Sequence, residues 1–203
     1  MRHPFMCHKP PLRLLFLFLV VFSLLASTSV SAVEVNGTIL PDRVQPRGGP
    51  ELVLNGAGVR VIALFKIYVA ALYLPTTSSD GETILRGHLP SQLNFHLLRG
   101  LTIDEIKSAI TGTLRDTLTP EQLLPLESRM QQLDGIFATL NGLKKGSTFV
   151  IGYQADVGTT IQINGENKGR IAGADFNEAV LRIWIGDRPR DQNLRKALLG
   201  IGR

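Results

Sequence analysis

Apolar residues beyond the N-terminal segment first follow the two-residue period of β-strands. Val33–Leu40 and Leu52–Leu54 are short β-rich runs, and a longer apolar stretch from Val59 to Leu74 is interrupted only by Arg60 and Lys66. Alternate residues of a strand point to opposite faces, and both faces are apolar here, so we expect the strand to be covered on both sides. One face carries Ile67, Val69, Ala71 and Tyr73, and the other carries Tyr68, Ala70, Leu72 and Leu74.

The segments around this stretch are more polar. Asn55-Gly56 has the composition of a turn, and the polar residues after Pro75 predict a loop. Gln92–Leu98 then alternates leucine and phenylalanine with Asn94 and His96, which predicts a strand with one wetter face.

Helical spacing begins after Thr102, which has the spacing of a capping box with Glu105. Pro120 predicts the first turn of a second helix, and Pro125 predicts a break before a third. The apolar face of the first helix comprises Ile103, Ile106, Ile110 and Leu114, and that of the third comprises Leu126, Met130, Leu133, Phe137 and Leu140.

The C-terminal part returns to strands and then to helices. We predict strands over Thr148–Gln154, Thr159–Ile163 and Glu166–Ile171, with a tight hairpin turn at Asn164-Gly165. A long helix follows Gly173, and a short terminal helix is predicted over residues 193–199. The helix face after Gly173 comprises Phe176, Ala179, Val180, Ile183 and Trp184. Strands, helices, a hairpin and a helix in this order indicate an α+β fold.

The N-terminal segment has the composition of a secretory leader. Three basic residues precede an apolar run over residues 14–25, which is shorter than the about 20 residues that span a bilayer. Val30-Ser31-Ala32 has the small side chains of a cleavage site, so we expect residues 1–32 to be a signal peptide and the mature chain to begin at Val33. An uncleaved anchor is the alternative. The expected location is periplasmic or secreted, without stable membrane insertion after cleavage.

Charge and length restrict the classes of function. Removing residues 1–32 deletes three positive and no negative side chains, which lowers the formal net charge from +5 to +2. This small excess, without a basic run, gives no electrostatic footprint for nucleic acid. Residues 33–203 have the length of one domain with a full core. The single cysteine, Cys7, lies in the leader, so the mature chain forms no intramolecular disulfide.

Candidate chemistry is sparse. Gly56-Ala57-Gly58 lacks the third glycine of a phosphate-binding fingerprint, and His88 and His96 do not have the spacing of a metal pair. Arg60 differs, because a guanidinium within an apolar strand must pair with a carboxylate, reach an edge or face a cavity. We expect it to lie in a cleft rather than in a structural ion pair.

Several segments together resemble the chalcone isomerase-like family, particularly its bacterial exported branch. They are Asn55-Gly56-Ala57-Gly58-Val59-Arg60, residues 66–75, Lys145-Gly146, Ile163-Asn164-Gly165, residues 173–176 and residues 183–189, and they span the mature chain in order. The resemblance implies an open-faced β-sandwich, in which a large antiparallel sheet carries helices on one face and a cleft lies between them.

The resemblance also implies a set of site residues. The plant enzymes of the family close a ring by adding a phenolate to an unsaturated ketone, which requires a cation and hydrogen-bond donors at the carbonyl oxygen. Arg60 matches the family's arginine directly, and Lys107 falls near its catalytic lysine when that helix is aligned without gaps. The hydroxyl and amide positions are replaced here by Tyr68, Asp104, Thr111, Phe176 and Asn177. We therefore expect no cyclisation of chalcones.

Four functions remain open at this level, the last of them that of a purely structural envelope protein. The first is a non-catalytic module whose cleft binds a small apolar ligand with an acidic head, because relatives with this fold include fatty-acid-binding proteins. It would use Arg60, Tyr68 and Lys107, with no cofactor. The second is an isomerase, an intramolecular lyase acting on another substrate through Arg60 and Lys107. The third is haem binding, which some fungal relatives show and for which His96 is the candidate axial ligand.

Overall fold

The computed structural model describes residues 32–202, and the predicted signal peptide lies almost wholly outside them. The strands are β1 (Ala32–Val35), β2 (Thr38–Pro41), β3 (Arg43–Val44), β4 (Leu52–Ile62), β5 (Phe65–Leu74), β6 (Ser91–Leu97), β7 (Thr148–Gln154), β8 (Gly158–Ile163) and β9 (Glu166–Ile171). The helices are α1 (Gly81–Arg86), α2 (Ile103–Lys107), α3 (Thr113–Thr117), α4 (Pro120–Leu123), α5 (Glu127–Ala138), α6 (Ala174–Ile185) and α7 (Gln192–Leu198). A π-helical turn, Ser108–Gly112, joins α2 to α3, and a 3₁₀ turn, Leu124–Leu126, joins α4 to α5.

Seven strands form one antiparallel sheet in sequence order, from β3 to β9, while β1 and β2 form a separate hairpin. The main hydrophobic cluster lies between this sheet and the helices, and it includes Ala70 and Leu72 of β5. A second cluster on the opposite face contains Val69, Ala71 and Tyr73, with Leu40 of β2. The prediction that this strand is covered on both faces is confirmed. So is the α+β open-faced sandwich.

Within the described residues, both clusters draw their members from residues 33–199. This part of the chain also forms one compact unit. None of the helices over residues 32–202 combines the length and the apolar character that crossing a membrane requires.

Three local predictions were wrong. The apolar stretch from Val59 to Leu74 is two strands, because the chain turns at Ala63 and Leu64 without any glycine or polar residue. Asn55-Gly56 lies inside β4, at a β-bulge, rather than in a turn. The predicted loop after Pro75 contains α1, whose first turn is capped by the Asp80 carboxylate.

The segment Asn55-Gly56-Ala57-Gly58 is the surface on which α7 packs. The Asn55 side chain donates to the Leu198 carbonyl at 2.8 Å and accepts from the Ser78 amide at 2.7 Å, so it fixes the end of α7 to the sheet. A Cβ atom placed on Gly56 would lie 2.1 Å from the Ala197 carbonyl oxygen. The glycine therefore allows the backbone of the helix to reach the backbone of the strand.

Tyr73 is expected to make stability sensitive to high pH. Its side chain is fully buried and its hydroxyl donates to the Pro41 carbonyl at 3.0 Å. Burial, with a smaller contribution from Asp42, raises the pKa of Tyr73 to about 12. A raised folded-state pKa stabilises the fold below the unfolded value near 10, and that contribution of roughly 2–3 kcal/mol is lost as pH rises from about 10 to about 12.

Urea unfolding of wild type and Tyr73→Phe at about pH 9 and about pH 12 measures this contribution. Tyr73→Phe should cost about 1 kcal/mol at the lower pH, because the hydrogen bond is lost. It should then lose less stability than wild type at the higher pH. Equal losses in the two proteins would show that Tyr73 does not cause the alkaline sensitivity.

Candidate functional site

A cavity of about 470 Å³ opens between the sheet and the helices at the end of β4. Its walls are mostly apolar and come from β5, α6, α7 and the segment before α2: Ile67, Tyr68, Leu101, Ile183, Trp184 and Leu194. Its charged side chains are of both signs: Arg60, Arg99, Asp104, Glu105, Arg190 and Asp191. The volume is within the range of small-molecule sites.

Arg60 and Tyr68 enter the cavity from neighbouring strands. They are directly opposite each other in the register of β4 and β5, so both side chains project from the same face of the sheet. Arg60 Nη1 lies 2.8 Å from the Asp191 carboxylate and donates to the Arg190 carbonyl at 3.2 Å. The side chains of Arg60 and Asp191 are each 17% exposed, so the pair is largely withdrawn from water.

The sequence left two alternatives for Arg60, a position in a cleft or a structural ion pair. Arg60 has both, because it lines the cavity and also forms an ion pair with Asp191. A guanidinium has five N–H donors, and both contacts described here use Nη1. The remaining donors are sufficient for a bidentate contact with an acidic ligand.

Asp191 holds its position through the backbone of α7. Its Oδ1 accepts from the Leu194 amide at 3.0 Å, as an N-cap residue does. Burial acts to raise the pKa of Asp191, but the Leu194 amide and the Arg60 guanidinium outweigh it, so the pKa is lowered from its usual value. The carboxylate is therefore ionised at neutral pH and keeps Arg60 at the cavity wall.

Tyr68 and Trp184 form the inner wall. Trp184 Nε1 donates to the Tyr68 hydroxyl oxygen at 3.1 Å, and Phe95 packs against both rings at centroid distances of 5.1 and 5.0 Å. Burial raises the pKa of Tyr68, although the Trp184 hydrogen bond and the charge of Arg60 oppose the shift. The phenol therefore remains neutral at physiological pH, and its O–H group is a donor for a ligand in the cavity.

The opening is fixed by ion pairs on its two sides. Arg99 lies 2.8 Å from Glu105, whose carboxylate also accepts from the Thr102 amide in the predicted capping box. On the other side, Arg190 lies 2.9 Å from Asp116 of α3. These pairs are solvent-exposed, so they position the rim more than they stabilise the fold.

Four predicted site residues lie outside this cavity. Lys107 does not line it, and the Thr111 hydroxyl bonds instead to the Lys107 carbonyl and to Asp134 of α5, at 3.0 and 3.2 Å. Phe176 and Asn177 are buried in the first turn of α6. For Thr111 the physical reason is the π-helical turn, which rotates residues after Ser108 relative to Asp104 and breaks the regular helical spacing that the sequence suggested. Asp104 does line the cavity.

His96 points away from the cavity. Leu93, Phe95 and Leu97 of β6 belong to the main cluster, so His96 faces the other side of the sheet. Burial lowers its pKa, which favours the neutral imidazole. The haem hypothesis therefore loses its candidate axial ligand in the cleft. Within residues 32–202, no group of three His, Cys, Asp or Glu side chains is arranged to hold a metal ion.

Sequence reasoning did not identify Trp184, Arg190 or Asp191 as site residues. Trp184 was assigned to the apolar face of its helix, which is correct, but that face also forms the cavity wall. Asp191 directly precedes a short helix, and this N-cap position was the available signal. Its pairing with Arg60 joins residues 131 positions apart and leaves no local pattern.

A second cavity of about 580 Å³ lies on the other side of α6 and is more charged. Arg182 crosses it to bond Glu82 at 2.7 Å and Glu178 at 2.9 Å. The donors of Arg182 are already paired with carboxylates of the protein. The second cavity therefore suits an apolar ligand with an acidic head less well than the first cavity does.

The sheet, the helices on one face and the cleft between them are the architecture that the sequence resemblance implied. A family model described as chalcone isomerase-like matches residues 32–200. The chain belongs to the chalcone isomerase-like family. Its structure is similar to that of a fatty-acid binding protein from Arabidopsis thaliana, with a TM-score of 0.66 and 16% sequence identity over 83% of this chain and 96% of that chain. Among curated proteins, no sequence matches significantly.

Proposed function

We propose that this protein is an exported, non-catalytic binding protein for a small apolar molecule with a carboxylate head, such as a fatty acid. The observation that carries the proposal is the cavity itself, in which an arginine with free donors stands beside aromatic and aliphatic walls. The fatty-acid binding protein of Arabidopsis thaliana supports it through the shared fold. Residues 1–32, with the composition of a leader, support export.

The residues that line the cavity suggest how the ligand is oriented in it, with its carboxylate at Arg60. A carboxylate placed at Arg60 accepts from the unused guanidinium donors and from the Tyr68 hydroxyl, which are charge-assisted hydrogen bonds in a partly dehydrated site. The aliphatic chain then lies against Ile183 and Leu194. This arrangement binds a carboxylate through its charge and an alkyl chain through the area removed from water.

The cavity is poorly equipped for the ring closure of the plant enzymes. That reaction needs donors preorganised at the developing enolate oxygen. Here the corresponding wall supplies the Tyr68 O–H as a single donor, together with Asp104, which is an acceptor when ionised. A cation with one donor, rather than a preorganised set, favours binding over turnover.

The proposal is tested by titrating the purified protein with oleate. Trp184 is the sole tryptophan of the sequence and lines the cavity, so its fluorescence reports occupancy directly. We expect oleate to bind about 10–100-fold more tightly than oleyl alcohol, because the alcohol lacks the charge that Arg60 recognises. Calorimetry of the same pair of ligands checks that the fluorescence change is binding.

Oleyl alcohol is the matched control, since its alkyl chain is identical. Equal affinity for the two ligands would contradict the role of Arg60, and no binding of either would contradict the proposed ligand class. Turnover of a chalcone by the same preparation would favour the isomerase instead.

A further inference from the structure

The turn between β4 and β5 is apolar at every position. Val61, Ile62, Leu64 and Phe65 are 42%, 50%, 94% and 70% exposed, and Ala63 between them has a positive φ of 53°. Hairpin turns normally contain Gly, Asn or Asp, because these residues adopt positive φ readily and are well hydrated. A run of five exposed apolar residues in one turn is typical of a surface that contacts another protein or a membrane.

The other hairpins with short turns, within residues 32–202, show the usual chemistry. The β1–β2 and β8–β9 hairpins turn at Asn36-Gly37 and Asn164-Gly165, and the β7–β8 turn contains Asp156 and leads into Gly158, which has a φ of 89°. Each of these turns therefore uses Asn, Asp or Gly. The apolar composition of the segment Val61–Phe65, called the β4–β5 tip below, is specific to this turn.

Basic residues lie level with the β4–β5 tip. Lys66 follows the tip directly, and the pairing of Tyr68 with Leu97 and of His96 with Thr148 brings the Lys144-Lys145 turn to the same end of the sheet. Over residues 32–202 these three lysines have no carboxylate partner, although Lys66 donates to the Asn36 side chain, whereas Arg99 at this end is paired with Glu105. An apolar tip beside lysines whose charge is not neutralised by a carboxylate is complementary to a bilayer surface that contains anionic lipids.

We propose that the β4–β5 tip inserts reversibly into the interface of an anionic phospholipid bilayer. The lysines favour this occupant over a second copy of the chain, because a symmetric dimer through the tip would bring like charges together. Ile62 belongs both to the tip and to the cavity wall, so docking places the opening of the cavity at the lipid surface. The biological use of the contact, exchange of an acyl ligand with the bilayer, rests on the proposed function, but the docking does not.

The test is co-sedimentation of residues 33–203, which lie within one compact unit, with sucrose-loaded vesicles of mixed phosphatidylcholine and phosphatidylglycerol. Leu64→Asp should lower the partition coefficient at least about tenfold, because a leucine side chain is lost from the lipid and a charge is added. Leu124→Asp is the matched control: this leucine is 80% exposed in the 3₁₀ turn after α4, away from the tip, and its substitution should change nothing.

Charge is tested separately. Lys144→Ala with Lys145→Ala should weaken binding to the mixed vesicles by about fivefold per lysine and leave binding to pure phosphatidylcholine vesicles unchanged. Equal sedimentation of Leu64→Asp and wild type would overturn the proposal. A second result would also overturn it: wild type does not bind the vesicles, but sedimentation velocity shows that it forms a dimer, and Leu64→Asp dissociates that dimer.

The two proposals fail in different ways. Leu64 does not line the cavity, so Leu64→Asp should bind oleate in vesicle-free solution as wild type does. Vesicle docking without oleate binding would refute only the ligand, and oleate binding without docking would refute only the tip.

Discussion

Arg60→Met is expected to weaken oleate binding by about 10–100-fold, or about 1.4–2.8 kcal/mol, the part of the affinity that oleate gains over oleyl alcohol. Methionine keeps an apolar stem of similar packing and removes only the guanidinium. Fluorescence titration of Trp184 and calorimetry measure the change. Because oleyl alcohol makes no charged contact, its affinity should change much less, so the preference for oleate should disappear.

The ion pair with Asp191 complicates a single substitution. Arg60→Met leaves the Asp191 carboxylate largely buried without its cation, which should destabilise the fold by about 1–3 kcal/mol, less than for a fully buried pair. The double variant Arg60→Met with Asp191→Asn removes both charges, and asparagine still caps α7. We expect it to recover stability without recovering affinity for oleate.

These variants separate a ligand contact from a structural one. If the double variant regained both stability and affinity, Arg60 would act only by keeping the rim in place. If Arg60→Met bound oleate as tightly as wild type, the carboxylate would have to lie elsewhere in the cavity. Thermal melts of all three proteins give the stability comparison.

Local patterns predicted most of the fold. The capping box at Thr102, the break at Pro125 and the hairpin at Asn164-Gly165 are each determined by residues close in sequence, and the structure has all three. The turn at Ala63 was missed because its residues are those of a strand interior. None of its residues is a type that adopts positive φ readily, so no turn signal was present.

The site was less predictable, since its geometry depends on contacts between distant segments. Arg60 was identifiable because a charge in an apolar strand requires a partner or a cavity. Thr111 was placed by assuming a regular helix, and the π-helical turn, which begins at Ser108, invalidates that spacing. Asp191 and Trp184 reach the site only through the packing of α6 and α7.

The family motif around Asn55 has a structural explanation that its sequence alone conceals. Its glycines do not surround a phosphate. Gly56 and Gly58 allow α7 to pack closely against β4, because a Cβ on Gly58 would lie 2.7 Å from the Ala197 side chain. Leu194 and Asp191 of the site are carried by this helix and its cap, so the motif supports the cavity without contacting a ligand.

Gly56→Ala is therefore expected to destabilise the fold by about 3 kcal/mol, which corresponds to roughly 10 °C in melting temperature for a domain of this size. The added methyl group would lie 2.1 and 2.4 Å from the carbonyl oxygens of Ala197 and Leu198, and backbone atoms cannot rotate aside as a flexible side chain can. The helix must shift as a unit, which moves the Leu194 wall and should weaken oleate binding as well.

Gly135→Ala is the matched control, because Gly135 lies within α5 and a Cβ there meets no atom within 4 Å. Alanine in a helix interior should stabilise the protein by about 0.5–1 kcal/mol and leave oleate affinity unchanged. Thermal and urea unfolding of the two variants give opposite signs if α7 is packed on β4 through backbone contact. A Gly56→Ala protein as stable as wild type would mean that α7 does not lie against this strand, and the support of the cavity would then need another explanation.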